Sequence, residues 1–95
     1  MLVLVCYDVA VDESGPRRLR RIAEACKDHG VRVQYSIFEC RLDDRSWVLL
    51  RSRLLAEFDG ARDSLRFYFL RDAEGAKTEH HGVRKPLDPT CPLVF

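Results

Sequence analysis

The sequence predicts an α+β sandwich, on three observations. Strand-like apolar stretches alternate with two segments of helical period. Each helical segment carries a single apolar stripe, so it can cover a sheet from one side only. The chain has 95 residues, enough for one core, since a domain of this size buries only roughly 60–65% of its unfolded surface.

The elements follow in order. Leu2–Val9 is almost continuously apolar, as a central strand covered on at least one face should be. Val11–Gly15 is a polar loop, and Pro16 can open a helix at its first position. Leu19, Ile22, Ala23 and Cys26 then recur at helical spacing, up to His29 and Gly30, where glycine can supply a left-handed cap. Val31, Val33, Tyr35 and Ile37 alternate with Arg32, Gln34 and Ser36, which predicts a half-buried strand. At Ile37-Phe38 the apolar phase slips, and Phe38, Cys40 and Leu42 carry it onward. A one-residue slip would turn every side chain to the other face, so two short strands joined by a tight bend are expected near Ser36–Phe38.

Asp43 or Asp44 caps a second helix whose buried face is Trp47, Leu50, Leu54 and Phe58, with Gly60 at its end. Leu65, Phe67 and Phe69 mark a further strand. The order β-α-β-β-α-β is the ferredoxin-like plan. With helices on one face, the other face of the sheet needs a cover, and a second copy in a two-fold homodimer would supply it. We therefore divide the chain into a ferredoxin-like core, residues 1–71, and a C-terminal extension, residues 72–95. The extension shows no period until the apolar end CPLVF, which could add an extra strand to a sheet edge.

Composition narrows the function. Net charge is +1, so no global positive field exists, yet 13 of the 16 basic residues are arginine. Arginine grips phosphate with a planar fork where lysine cannot, although arginine-rich codon usage accounts for the bias equally well. No apolar run approaches a membrane span, and the first residues lack the pattern of an export signal. Cys6, Cys26, Cys40 and Cys91 form no C-x-x-C pair and read as reduced packing residues of a cytoplasmic protein.

The first candidate for chemistry is Asp8, a carboxylate ending the most apolar strand. Its ordinary role is to turn the following loop. Its chemical role is to bind Mg²⁺, which needs only one or two carboxylates with waters and phosphate oxygens, and two Asp8 side chains meeting across a two-fold axis would give a pair. Tyr7 and Tyr35 are half-buried aromatics by default, or phosphate hydrogen-bonders. Arg17, Arg18, Arg20 and Arg21 cluster on the first helix. Pairing with Glu24 explains part of the cluster, but Arg17 and Arg18 stand at the positive end of the helix and oppose its dipole, which suits an anionic partner. Ser36 lacks an adjacent base and reads as a hydrogen-bonding support, Phe38 as core or dimer contact. His80 and His81 are adjacent in an extended segment and point apart, so they make a poor metal pair.

Taken together, LVLVCYDV, an arginine-rich helix and Val33-Gln34-Tyr35-Ser36-Ile37-Phe38-Glu39 resemble the CRISPR-associated protein Cas-two family over residues 1 to about 70. The resemblance implies a ferredoxin-like homodimer in spacer acquisition, bound to DNA and to the Cas-one integrase, with Mg²⁺-dependent endonuclease activity on single-stranded RNA or double-stranded DNA. It places the family's metal-binding aspartate on Asp8, its neighbouring tyrosine on Tyr7, its basic helix positions on Arg17, Arg18 or Arg21, and its second motif on Ser36 and Phe38. Three readings follow. One is a nuclease using Asp8, one a non-catalytic DNA-binding scaffold for the integrase, and one a toxin-like ribonuclease of the virulence-associated protein D type.

Overall fold

A computed structural model describes residues 1–71 and 75–83. It has β1 (Leu2–Asp8), α1 (Gly15–Lys27), β2 (Gly30–Gln34), β3 (Ile37–Arg41), α2 (Asp44–Glu57), β4 (Ser64–Arg71) and β5 (Gly75–Gly82). The strands form one sheet in the order β2-β3-β1-β4-β5, antiparallel at every pairing. This is the expected ferredoxin-like arrangement with one strand added beyond β4. β1 lies at its centre, as its unbroken apolar run requires.

The alternation of β1 sorts the two faces. Val3, Val5 and Tyr7 join Ile22 and Cys26 of α1, Trp47, Leu50 and Leu54 of α2, and Phe38 and Phe67 in the main core. Trp47 meets the rings of Phe67 and Phe69 edge-on, at 4.9 and 5.2 Å between centroids. Leu4, Ile37 and Tyr68 make a smaller cluster with Cys6 and Leu70 on the opposite face, to which no helical residue contributes.

Pro16 stands in the first turn of α1, as expected. Asp43, rather than Asp44, caps α2 by accepting the Ser46 amide at 2.7 Å. The bend between β2 and β3 is Tyr35-Ser36, and the register shift lies between Arg32 and Gln34.

Three expectations are corrected. Gly30 does not cap α1 in a left-handed conformation, because Gly82 is the only described residue with positive φ. Gly30 instead opens β2, and a Cβ there would stand 2.5 Å from the Glu39 carbonyl and the Cys40 Sγ. The first part of the extension, expected to be irregular, is the strand β5, paired with β4 from Ser64↔Gly82 to Arg71↔Gly75. It is an edge strand held by its backbone ladder, so it needs no apolar alternation. Finally, β2 is not half-buried: it is the other sheet edge, and Val31 is 70% exposed. Cys91 and the apolar CPLVF segment lie outside the described residues.

Asp63 joins the sheet ends. It is 1% exposed and accepts from the amides of Ala10 and Asp59, both at 2.9 Å, and from Arg18 Nε at 2.8 Å and Nη2 at 3.1 Å. Its own carbonyl accepts the Val83 amide at 2.9 Å. At Gly82 a Cβ would collide with that carbonyl, and φ is +91°, so glycine is required there. Burial alone would raise the Asp63 pKa, but the Arg18 fork and the two amides outweigh it and hold it below the ordinary value. Asp12 is lowered by hydrogen bonds from Arg18 and Arg62.

Both carboxylates therefore stabilise the fold above their unfolded pKa, and this stabilisation is lost as pH falls through their lower folded values. The melting temperature should hold down to about pH 5 and fall below about pH 4. Asp63→Ala should cost about 3 kcal/mol or more in urea unfolding, because it leaves the Arg18 charge without its most buried partner.

Candidate nucleic-acid site

Local structure places the residues around Asp8. Past Cys6↔Ile37, the last β1–β3 pair, the Tyr7 amide donates to the Ser36 carbonyl at 3.0 Å. The Tyr7 hydroxyl donates to the Tyr35 carbonyl at 3.3 Å. The end of β1 is thereby tied to the β2–β3 turn, while α1 packs across the same end.

Between them lies a groove of about 580 Å³. Its polar lining is Tyr7, Asp8, Arg20, Lys27, Arg32, Tyr35 and Ser36, and Val9, Leu19 and Ala23 supply apolar surface. Asp8 thus borders a groove lined by three cationic residues. Arg20 and Lys27 are seven residues apart, close to two helical turns, so they share a face of α1.

Tyr7 is 4% exposed and stacks on Phe38 at 6.2 Å with an interplanar angle of 21°. Burial raises its pKa, partly offset by Arg32, so the phenol stays protonated and donates hydrogen bonds rather than accepting protons. Phe38 is wholly buried core, with the Arg32 guanidinium 5.1 Å from its ring centroid. Ser36 supports the site through its backbone carbonyl.

The helix arginines divide. Arg18 has an 11% exposed side chain, bound to Asp63 and to Asp12 Oδ2 at 2.9 Å. Its fork is committed within the chain, which corrects its expected role at phosphate. The carboxylates that satisfy it come from the loop before α1 and from the residue just before β4, the latter 45 residues away. Arg21 is half exposed and 3.5 Å from Glu57, and Arg17 is exposed; neither lines the groove. Sequence reasoning missed Lys27 and Arg32, and its choice among the helix arginines passed over Arg20. Helical spacing within GPRRLRRIAEACK could have singled out Arg20 and Lys27, whereas Arg32 is recognisable only once β3 brings β2 and β1 into one sheet.

Among the described residues no three His, Cys, Asp or Glu side chains converge on a metal position. Asp8 offers one carboxylate per chain, which fits Mg²⁺ only with oxygens from water, from a substrate phosphate or from a second Asp8. His80 and His81 point to opposite faces as expected: His80 contacts Arg66 and the Val83 carbonyl, while His81 contacts Glu79 and the Phe67 ring. Cys26 and Cys40 are buried free thiols, with burial raising the Cys40 pKa to about 11.

Fold and site together define a small ferredoxin-like protein with an acid-tipped central strand beside a basic groove. Comparison with known proteins is specific. A family profile described as CRISPR associated protein Cas2 matches residues 1–78. The CRISPR-associated endoribonuclease Cas2 of Chlorobaculum tepidum is 54% identical over the whole of both chains. That of Nitratidesulfovibrio vulgaris is 53% identical over all of this chain and 94% of its own. The crystal structure of Streptococcus pyogenes Cas2 at pH 6.5 is similar with a TM-score of 0.70 and 44% identity, over 75% of this chain and 87% of that one. The chain belongs to the Cas2 family. No helix among the described residues is long and apolar enough to cross a membrane.

In an ultraviolet phenolate titration, Tyr7→Phe should remove a component that titrates above the ordinary value of 10.0.

Proposed function

We propose that this protein is a CRISPR adaptation subunit that binds nucleic acid as a homodimer and partners the Cas-one integrase, with Mg²⁺-dependent endonuclease activity centred on Asp8. The observation that carries the reading is the position of Asp8 in a groove with Arg20, Lys27 and Arg32. The names of relatives agree with it: that from Halalkalibacterium halodurans, 42% identical, is a CRISPR-associated endonuclease Cas2, and those from Chlorobaculum and Nitratidesulfovibrio are endoribonucleases.

A second copy is supported by the helix-free sheet face. Leu4, Ile37 and Tyr68 cluster there, and Val31 on edge strand β2 is exposed. A copy packed on that face would cover apolar surface that α1 and α2 cannot reach, and would bring a second Asp8 toward the first.

In hydrolysis, water attacks phosphorus, the bond to one bridging oxygen breaks, and that oxygen takes up a proton. Bound Mg²⁺ would supply an activated water and offset charge on the scissile phosphate. Asp8 would hold the ion. Arg20, Lys27 and Arg32 would orient the backbone, and Tyr7 keeps the turn that carries Tyr35 and Ser36 against β1.

Asp8→Ala should abolish cleavage of labelled RNA and DNA in magnesium while light scattering still gives a dimer mass. Cleavage that persists in a clean preparation would remove the catalytic part of this reading and leave a binding scaffold. Arg20→Ala combined with Lys27→Ala should weaken binding and flatten the dependence of log affinity on log salt, by about 0.7–0.9 for each phosphate that is no longer neutralised. Arg18→Ala should instead lower the melting temperature.

A further inference from the structure

We propose that Tyr35 is a stacking platform for an unpaired base, and that it makes the groove selective for single-stranded nucleic acid. The inference rests on the reading of the groove as a nucleic-acid site and extends it to the class of substrate.

Tyr35 is 96% exposed, an unusual position for an aromatic ring that could have packed on the sheet beside it. Its exposure is not looseness. The Tyr35 carbonyl is held by the Tyr7 hydroxyl, and the next carbonyl, of Ser36, by the Tyr7 amide. Both bonds come from a residue in the core, so the backbone that carries the ring is held in place before binding.

Two grooves adjoin the ring. One is the Asp8 groove with Arg20 and Lys27, and the other, about 590 Å³, is lined by Arg32, Val33, Gln34 and Tyr35. Arg32 and Tyr35 belong to both. A strand whose phosphates follow the cations would pass Tyr35 on its way between the grooves. Charge favours nucleic acid over a second copy at this place. Arg20, Lys27 and Arg32 form no ion pair among the described residues. A copy related by two-fold symmetry near the turn would bring the same cations toward them, whereas nucleic acid brings phosphates.

Within a duplex, bases already stack on their neighbours and offer a side chain only their edges. A ring can take a base face only where the strand is unpaired, so an exposed aromatic beside a cationic groove discriminates by strandedness.

The test uses the full chain without magnesium, fluorescence anisotropy, and three labelled probes: a short oligothymidylate, the same backbone with abasic sites throughout, and a duplex of equal length. The wild type should bind the oligothymidylate about tenfold more tightly than the abasic strand. Tyr35→Ala should lose that advantage and bind the abasic strand as the wild type does. Tyr35→Trp should retain it, with indole emission quenched by the base. The proposal is overturned if Tyr35→Ala weakens both single strands alike, or if it dissociates the protein in light scattering, which would make Tyr35 a contact between copies. Failure of the wild type to bind any probe would overturn the groove reading as well. Loss of cleavage in Asp8→Ala tests that reading separately, because Asp8→Ala should still distinguish base-bearing from abasic strands.

Discussion

The buried pair of Asp63 and Arg18 fixes the geometry on which the rest of the molecule depends. Taking a carboxylate and a guanidinium out of water is costly unless their hydrogen-bonding capacity is filled. Here the two oxygens of Asp63 receive two backbone amides and two guanidinium nitrogens, and Arg18 turns its remaining capacity to Asp12. The partners come from the loop after β1, the first turns of α1 and the turn after α2, and the Asp63 carbonyl also receives the amide that follows β5. One residue thereby gathers four segments at one end of the sheet. Ala10 lies two residues beyond Asp8, so the same bonds set where β1 leaves the sheet and where its terminal carboxylate stands. The need to neutralise Asp63 also explains why one arginine of the basic helix faces inward.

At the other side of that sheet end, Tyr7 does for the β2–β3 turn what Asp63 does for the loops. Its ring is core and its hydroxyl and amide are couplings, so hydrophobic packing against Phe38 is converted into the position of Tyr35 and Ser36. The groove between α1 and this turn then has rigid walls lined by long cationic side chains. That combination suits a polyanion of variable sequence, since charge attracts the backbone while fixed elements set its path.

The two sheet edges differ in how they are protected. β5 is tied to α2 through Arg51 and Glu79 at 2.8 Å. β2 carries exposed valines and has no helix over its outer face. Of these, Val31 lies beside the helix-free face that the proposed second copy would cover, whereas Val33 lines the groove that ends at Tyr35.

Much of this was legible in the sequence. Periodicity placed β1, both helices, β4 and a tight bend, expected near Ser36–Phe38 and found at Tyr35-Ser36, because a strand or an amphipathic helix writes its repeat into its own residues. Asp8 was legible as well, as a charge at the end of an apolar run, and so was the opposed orientation of His80 and His81. What depends on long-range placement was not. Val31, Val33 and Tyr35 alternate as buried residues do, and only the strand order makes β2 an edge. Gly75–Gly82 has no apolar repeat because it is held by backbone bonds to β4. Arg18 is indistinguishable from Arg17 or Arg20 until Asp63 comes beside it, and Arg32 joins the groove only when β2 and β1 are brought together through β3. Local physics, read from spacing and residue type, determined which elements form and that the central strand ends in a carboxylate. Tertiary structure alone decided which charges are spent inside the fold and which face the groove, because electrostatic pairing depends on distance in space and leaves no period along the chain.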